Sequence, residues 1–286
     1  MDEETFEQKF EAAIPVLILL LLIIGIIALN PSWLSGIPVI GDFFQGKTIN
    51  VLVITDDMNE VSIWQSMLSS DMARRVFGNT LNVEGLIGSQ TESEIISADA
   101  LDKKGYDLII LTSTHVPPSV QLVLRDWVNN GGKLYIASLG GINDNHRWGE
   151  LASLVPVQCS ADGECVGVIT PVYGATIYPQ DINNPLAEKF APKTELTSGN
   201  ESVNIANVSP LYSQIMYIGG WESPSQVEAG KVGNIYPFVT ENSQSTGGKV
   251  FYISINPATE NIDSDIKQRV IINTVAYVMG VEGYTE

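Results

Sequence analysis

Apolar and polar positions alternate along the chain in two rhythms. Thr48–Thr55, "TINVLVIT", is apolar with little alternation, the pattern of a strand covered on both faces. Over Asn59–Phe77 the residues Val61, Trp64, Leu68, Met72 and Val76 recur at helical spacing and predict one amphipathic helix. Leu81–Ile87 reads as a second, outer strand, and Asp107–Leu111 as a third, buried one. Pro117–Asn129 predicts a helix with Val120, Val123, Leu124 and Trp127 on one face, and Gly131 follows as its stop signal. Lys133–Ala137 is the next strand. Strands alternating with helices call for a three-layer α/β architecture, a mostly parallel, doubly wound sheet wrapped on both sides.

The rhythm lapses between Asn143 and about Gly247, a stretch rich in Asn, Ser, Pro and Gly. Short β-like pieces such as "CVGVITPVY", "ATIYP" and "QIMYIGGW" predict inserted hairpins and loops over one end of the sheet. Trp148 and Trp221 fall in this stretch and read as exposed, whereas Trp64 and Trp127 read as core. Order returns at Lys249–Ile255, a last core strand, and at Ser264–Met279, a closing helix with Gly280 at C′.

A different pattern precedes the domain. Ala12–Leu29 carries no charge and, as a helix, would rise about 27 Å, enough to cross a hydrocarbon core. The acidic flank "MDEETFEQKFE" is unlike the basic start of a cleaved signal peptide, so the run predicts an uncleaved anchor. The organisation is then an acidic tail over 1–11, a transmembrane helix over 12–29, a Pro/Gly-punctuated linker over 30–47 and an α/β domain over 48–286. Of the 286 residues, 33 are Asp or Glu and 15 Lys or Arg, a formal charge of −18. Such a surface repels phosphate, which argues against a nucleic-acid partner. Cys159 and Cys165, the only cysteines, bracket the polar loop "CSADGEC" and fit a local disulfide made in an oxidising compartment. Two thiols are too few for a zinc site, and no metal is expected. Asn200-Glu-Ser and Asn207-Val-Ser are glycosylation sequons. Together these features place the large domain outside the cytoplasm, on the cell membrane.

In sheets of this kind ligands bind beyond the carboxyl ends of the strands. Those ends carry Thr55-Asp56-Asp57, Thr112-Ser113-Thr114-His115, Ser138-Leu139-Gly140-Gly141 and Asn256-Pro257. No strand is followed by G-x-G-x-x-G or a P-loop, so neither a nucleotide nor another cofactor is expected. A phospho-receiver site would need an aspartate ending the third strand, where Thr112 stands. The candidate cleft comprises Asp56, Asp57, Thr114, His115, Ser138, Gly140, Asn256 and, from the adjoining "NDNHRWGE" loop, Asp144 and His146.

"YDLIIL", a helix, then "KLYIASLGG" resembles the class I glutamine amidotransferase-like fold, a flavodoxin-like architecture. Active members of that family end a strand in a G-x-C-x-G elbow. Here Ile136-Ala137-Ser138-Leu139-Gly140 occupies the place, with Ser138 for the cysteine and Gly140 matching a glycine. "ISINPATE" resembles the family's later His-Pro-x-Glu-like element, with Asn256 at the histidine's place, Pro257 kept and Glu260 displaced. The likeness covers about Thr48–Asn143 and Lys249–Gly280. It is nearest to the divergent, often non-enzymatic branches, which include trehalose-utilisation-like domains and auxiliary domains of transport systems. It implies a degenerate, non-catalytic site, and with the membrane location this points to an anchored domain that binds a partner protein or an envelope glycan. Two alternatives stay open: a surface serine hydrolase using Ser138 with His115, and a structural subunit, either pilin-like or a transport-system auxiliary.

Overall fold

A computed structural model of the chain describes residues 48–78, 81–212, 214–228 and 230–283. The expected acidic tail, transmembrane helix and linker lie outside the described residues, among which no helix is long and apolar enough to cross a membrane.

The α/β rhythm unfolds as β1 (Ile49–Thr55), α1 (Met58–Leu68), α2 (Asp71–Phe77), β2 (Leu81–Ile87), α3 (Ala98–Lys104), β3 (Leu108–Leu111), α4 (Pro118–Asn129) and β4 (Lys133–Ala137). The middle supplies β5 (Val157–Gln158), β6 (Ile169–Pro179), α5 (Pro185–Glu188), β7 (Thr194–Glu195), β8 (Ser202–Ala206), β9 (Ser209–Pro210), β10 (Gln214–Trp221) and β11 (Asn234–Ser243). β12 (Lys249–Ile253) and α6 (Ser264–Met279) close the domain.

The single helix predicted over Asn59–Phe77 is two. Ser69 and Ser70 turn their hydroxyls back onto the Gln65 and Met67 carbonyls, at 2.6 and 2.7 Å, and so compete with the helical ladder. Ser70 Oγ then accepts from Ala73 N–H and caps α2. Helix α3 went unpredicted because only Leu101 of its seven residues is buried, too few for a periodic signal.

Strands β2-β1-β3-β4-β12 are parallel neighbours in that order. This is the flavodoxin-type order, with the fifth strand delayed by the insertion. The insertion does more than cover the sheet. Strands β11, β10, β6 and β7 continue it beyond β12 in antiparallel register, and β8 pairs with β6. Their apolar residues are shared between two faces, which blurs alternation and makes them read as scattered hairpins. One face of the sheet is covered by α1, α2, α5 and α6, around Trp64, Tyr135 and Phe251. The other is covered by α3, α4 and the 142–157 segment, around Trp127, Trp148 and Tyr252. Trp148, expected at the surface, is only 4% exposed, because its indole N–H donates to Gly140 O at 2.9 Å and its ring stands edge-on to Tyr252.

Candidate functional site

The carboxyl ends of β1, β3, β4 and β12 converge as the parallel register requires, and two polar centres form there. The first is built on Asp56. Ser113 Oγ donates to its Oδ1 at 2.5 Å, and Thr114 donates to Oδ2 through its backbone N–H (2.7 Å) and hydroxyl (2.8 Å). His115 Nδ1 lies 3.3 Å from Asp56 Oδ1 and 3.2 Å from Thr114 Oγ1. Partial burial opposes the charge on Asp56, yet the donors from Ser113, Thr114 and His115 outweigh it and hold its carboxyl below the usual range. The His115 backbone N–H donates to Ser113 Oγ, so the short segment after β3 is wound around one carboxylate.

The second centre is Glu60, buried at the start of α1. It accepts from Thr55 Oγ1 (2.6 Å), Trp64 Nε1 (3.0 Å) and Asn256 Nδ2 (3.0 Å). Asn256 is thereby tied to α1, while its Oδ1 accepts from Ala258 N–H. Glu260 turns the other way and accepts from Asn204 N–H in β8 at 2.8 Å. Burial pushes its carboxyl up, against the pull of Asn204 and of Lys267.

Between the two centres lies the elbow. Ser138 has φ 54°, the left-handed region that a side chain adopts at a cost, and its N–H donates to Ile253 O. Gly140 is required by contact: a Cβ there would sit 1.9 Å from Leu111 O. Gly141 N–H donates to Ser113 O, so the elbow is pinned to the end of β3. Among the described residues Ser138 Oγ makes no hydrogen bond. The ring of the neighbouring His115 is engaged through Nδ1 by Asp56 and Thr114, and no hydrogen bond joins it to Ser138 in this geometry.

The structure therefore brings Asp56, Thr114 and His115 into one network and sets Ser138 and Gly140 on the adjacent strand end. Asn256 belongs to a separate network with Glu60. Asp57 is spent as the N-cap of α1, accepting from Asn59 N–H. Asp144 and His146 are exposed, and their side chains bond to none of these groups. Their loop is stapled from behind by Gln121, which donates to Gly141 O at 2.8 Å and to Arg147 O at 3.3 Å. The Cys159–Cys165 disulfide is formed, and its loop leans on the same segment through Cys165 N–H to His146 O and an Arg147–Glu164 ion pair at 2.6 Å. Strand β8 roofs the other side, with Ala206 N–H donating to Ser254 O at 2.7 Å. Asn200 and Asn207 are exposed at its two ends.

Glu60 is the residue that sequence reading missed; Ser113 was placed at a strand end but not in the cleft. Asp57-x-x-Glu60 has the look of a capping box, which would send Glu60 back to the Asp57 N–H. That N–H is taken by Thr55 Oγ1, and Glu60 turns inward.

No family model matches the chain, and no curated protein does. A ThuA-like protein from Bacteroides uniformis superposes with a TM-score of 0.50 at 12% identity, covering 81% of this chain and 91% of its own. The glutaminase domain of Trypanosoma brucei CTPS, solved with bound acivicin, gives a TM-score of 0.46 at 12% identity, covering 83% and 96%. At such identity the likeness concerns fold alone. The first of these, with the strand order above, supports an α/β architecture with a mostly parallel, flavodoxin-like central sheet.

Proposed function

We propose that this chain is a membrane-anchored, extracytoplasmic α/β domain whose degenerate amidotransferase-like site binds a partner protein without chemistry. The observation that carries this is the state of Ser138 and Asn256. A serine nucleophile needs a base within hydrogen-bond reach. Ser138 Oγ has no such partner among the described residues, and Asn256 is an amide, which does not titrate in this range and is committed to Glu60. The acidic rim formed by Asp56 and Asp57, on a chain of formal charge −18, favours a partner with a basic surface. Trp148 turns inward, so it offers a glycan no stacking face. The anchor and the outward topology rest on the charge-free run, the disulfide and the exposed sequons.

Cross-linking on intact cells should capture one protein with the wild type and lose it with Asp56→Lys/Asp57→Lys. Co-sedimentation with purified envelope polysaccharide, abolished by the same pair, would assign a glycan instead. Protease added to intact cells should release nearly the whole domain; cleavage only after lysis would reverse the topology.

One observation favours the hydrolase alternative: Asp56 holds His115 by Nδ1, the orientation that a general base uses. Covalent labelling of Ser138 by a fluorophosphonate, lost in His115→Ala, would establish that reading over the binding one.

A further inference from the structure

Three hydroxyls that play no part in the site stand on the sheet face beneath the insertion. Thr240 of β11 is directly opposite Tyr252 of β12, and Ser254 lies two residues beyond Tyr252, on the same face. All three residues are fully buried. Thr240 Oγ1, Tyr252 OH and Ser254 Oγ each have no hydrogen-bond partner among the described residues. Tyr252 belongs to the apolar cluster that includes Leu139, Trp148, Leu154 and Val208, and Trp148 stands edge-on to its ring. Burial pushes the Tyr252 phenol upward, so it is neutral and can both donate and accept.

A buried hydroxyl without a partner costs about 1–3 kcal/mol, and native interiors rarely carry three on one patch. A scattered set would have no common explanation, but these three share a face and a register. The face also leads to the elbow. Ala137 pairs with Ile253 in the parallel β4–β12 register, so the next step sets Ser138 beside Ser254. Ser138 is half-buried there, with its own hydroxyl unpartnered among the described residues.

We propose that the interface between the sheet and the insertion contains an internal hydration site, with Ser254 Oγ, Thr240 Oγ1 and Tyr252 OH as its protein partners and Ser138 at its elbow end. Its ligand is water. The lining is neutral and each hydroxyl can both donate and accept, which suits a molecule that does the same, and buried waters typically make about three hydrogen bonds to such groups. No charged side chain joins the trio, so an ion is not the expected occupant. The site lies apart from the Asp56 and Glu60 networks and stands whether or not the cleft binds a partner.

The test removes one oxygen at a time from the full chain in detergent: Thr240→Val, Ser254→Ala and Tyr252→Phe. If the hydroxyls were dry orphans, each change would relieve a desolvation penalty, leaving the folding equilibrium constant unchanged or raised, and the effects would add. If they share water, each should lower that constant by roughly five- to tenfold, and each double variant should lose less than the product of its singles. A high-resolution crystal structure gives a second readout, because ordered solvent within hydrogen-bond distance of the three oxygens is expected. Dry density there, or stabilising and additive substitutions, would overturn the proposal.

Discussion

Replacing Glu60 separates two roles that a buried carboxylate can have. Its two oxygens serve three donors: Oε2 takes the Thr55 hydroxyl, and Oε1 takes both Trp64 Nε1 and Asn256 Nδ2. In Glu60→Gln the remaining oxygen can keep Trp64 and Asn256. The new amide N–H₂ faces Thr55, whose hydroxyl can accept from it and turn its own proton to Asp57 O, 3.3 Å away. Only charge assistance is lost, and the cost should be about 1 kcal/mol. Glu60→Leu keeps the approximate volume and removes both acceptors. Trp64 is fully buried, so its indole N–H loses this acceptor without access to solvent, while the Thr55 hydroxyl falls back on Asp57 O and the half-exposed Asn256 can turn to water. One buried orphan at about 1–3 kcal/mol, with the charge-assisted bond from Thr55 exchanged for a weaker one at about 1 kcal/mol, predicts a loss of roughly 2–4 kcal/mol. Chemical denaturation of the full chain, followed by tryptophan fluorescence, measures both variants. The reasoning fails if Glu60→Leu lies within about 0.5 kcal/mol of wild type, or if Glu60→Gln costs as much as Glu60→Leu.

Three further outcomes are expected. Breaking the Cys159–Cys165 bridge with paired serines should cost about 2–3 kcal/mol through the unfolded chain, measured as a denaturation midpoint, and intact-mass analysis with an alkylating agent should find no free thiol before reduction. Asp56 has its folded carboxyl held low, so its contribution to stability is complete above its ordinary value of about 3.9 and is lost as pH falls through the folded one. Asp56→Asn should therefore differ most from wild type near neutrality and converge with it in acid, and a gap in unfolding midpoint that widens in acid would contradict the sign. Gly140→Ala drives a methyl into the Leu111 carbonyl, a backbone atom that cannot swing aside, so a loss of about 1–3 kcal/mol in the same denaturation assay is expected, and a neutral result would mean that the elbow can shift.

Much of the parallel half was legible in the sequence, because β1, β3 and β4 are continuous apolar runs between amphipathic helices and period alone identifies them. The ends of those strands named where the polar residues meet for the same reason: topology carries them to one edge. The Cys159–Cys165 pairing was legible from spacing, since five residues of polar loop leave the two sulfurs close together.

What the sequence left open was decided by contacts between residues distant along the chain. Whether Asn143–Gly247 caps the sheet or extends it depends on strand pairing, which no local period encodes when both faces carry apolar residues. The division of the strand-end polar residues into an Asp56 network and a Glu60 network was equally hidden, because Asn256 reaches Glu60 across 196 positions of sequence. Ser138 shows the boundary between the two kinds of information. Its glycine-rich neighbourhood announces a turn, but its left-handed backbone and its hydroxyl's lack of a hydrogen bond among the described residues follow only from how β3, β4 and β12 are set side by side.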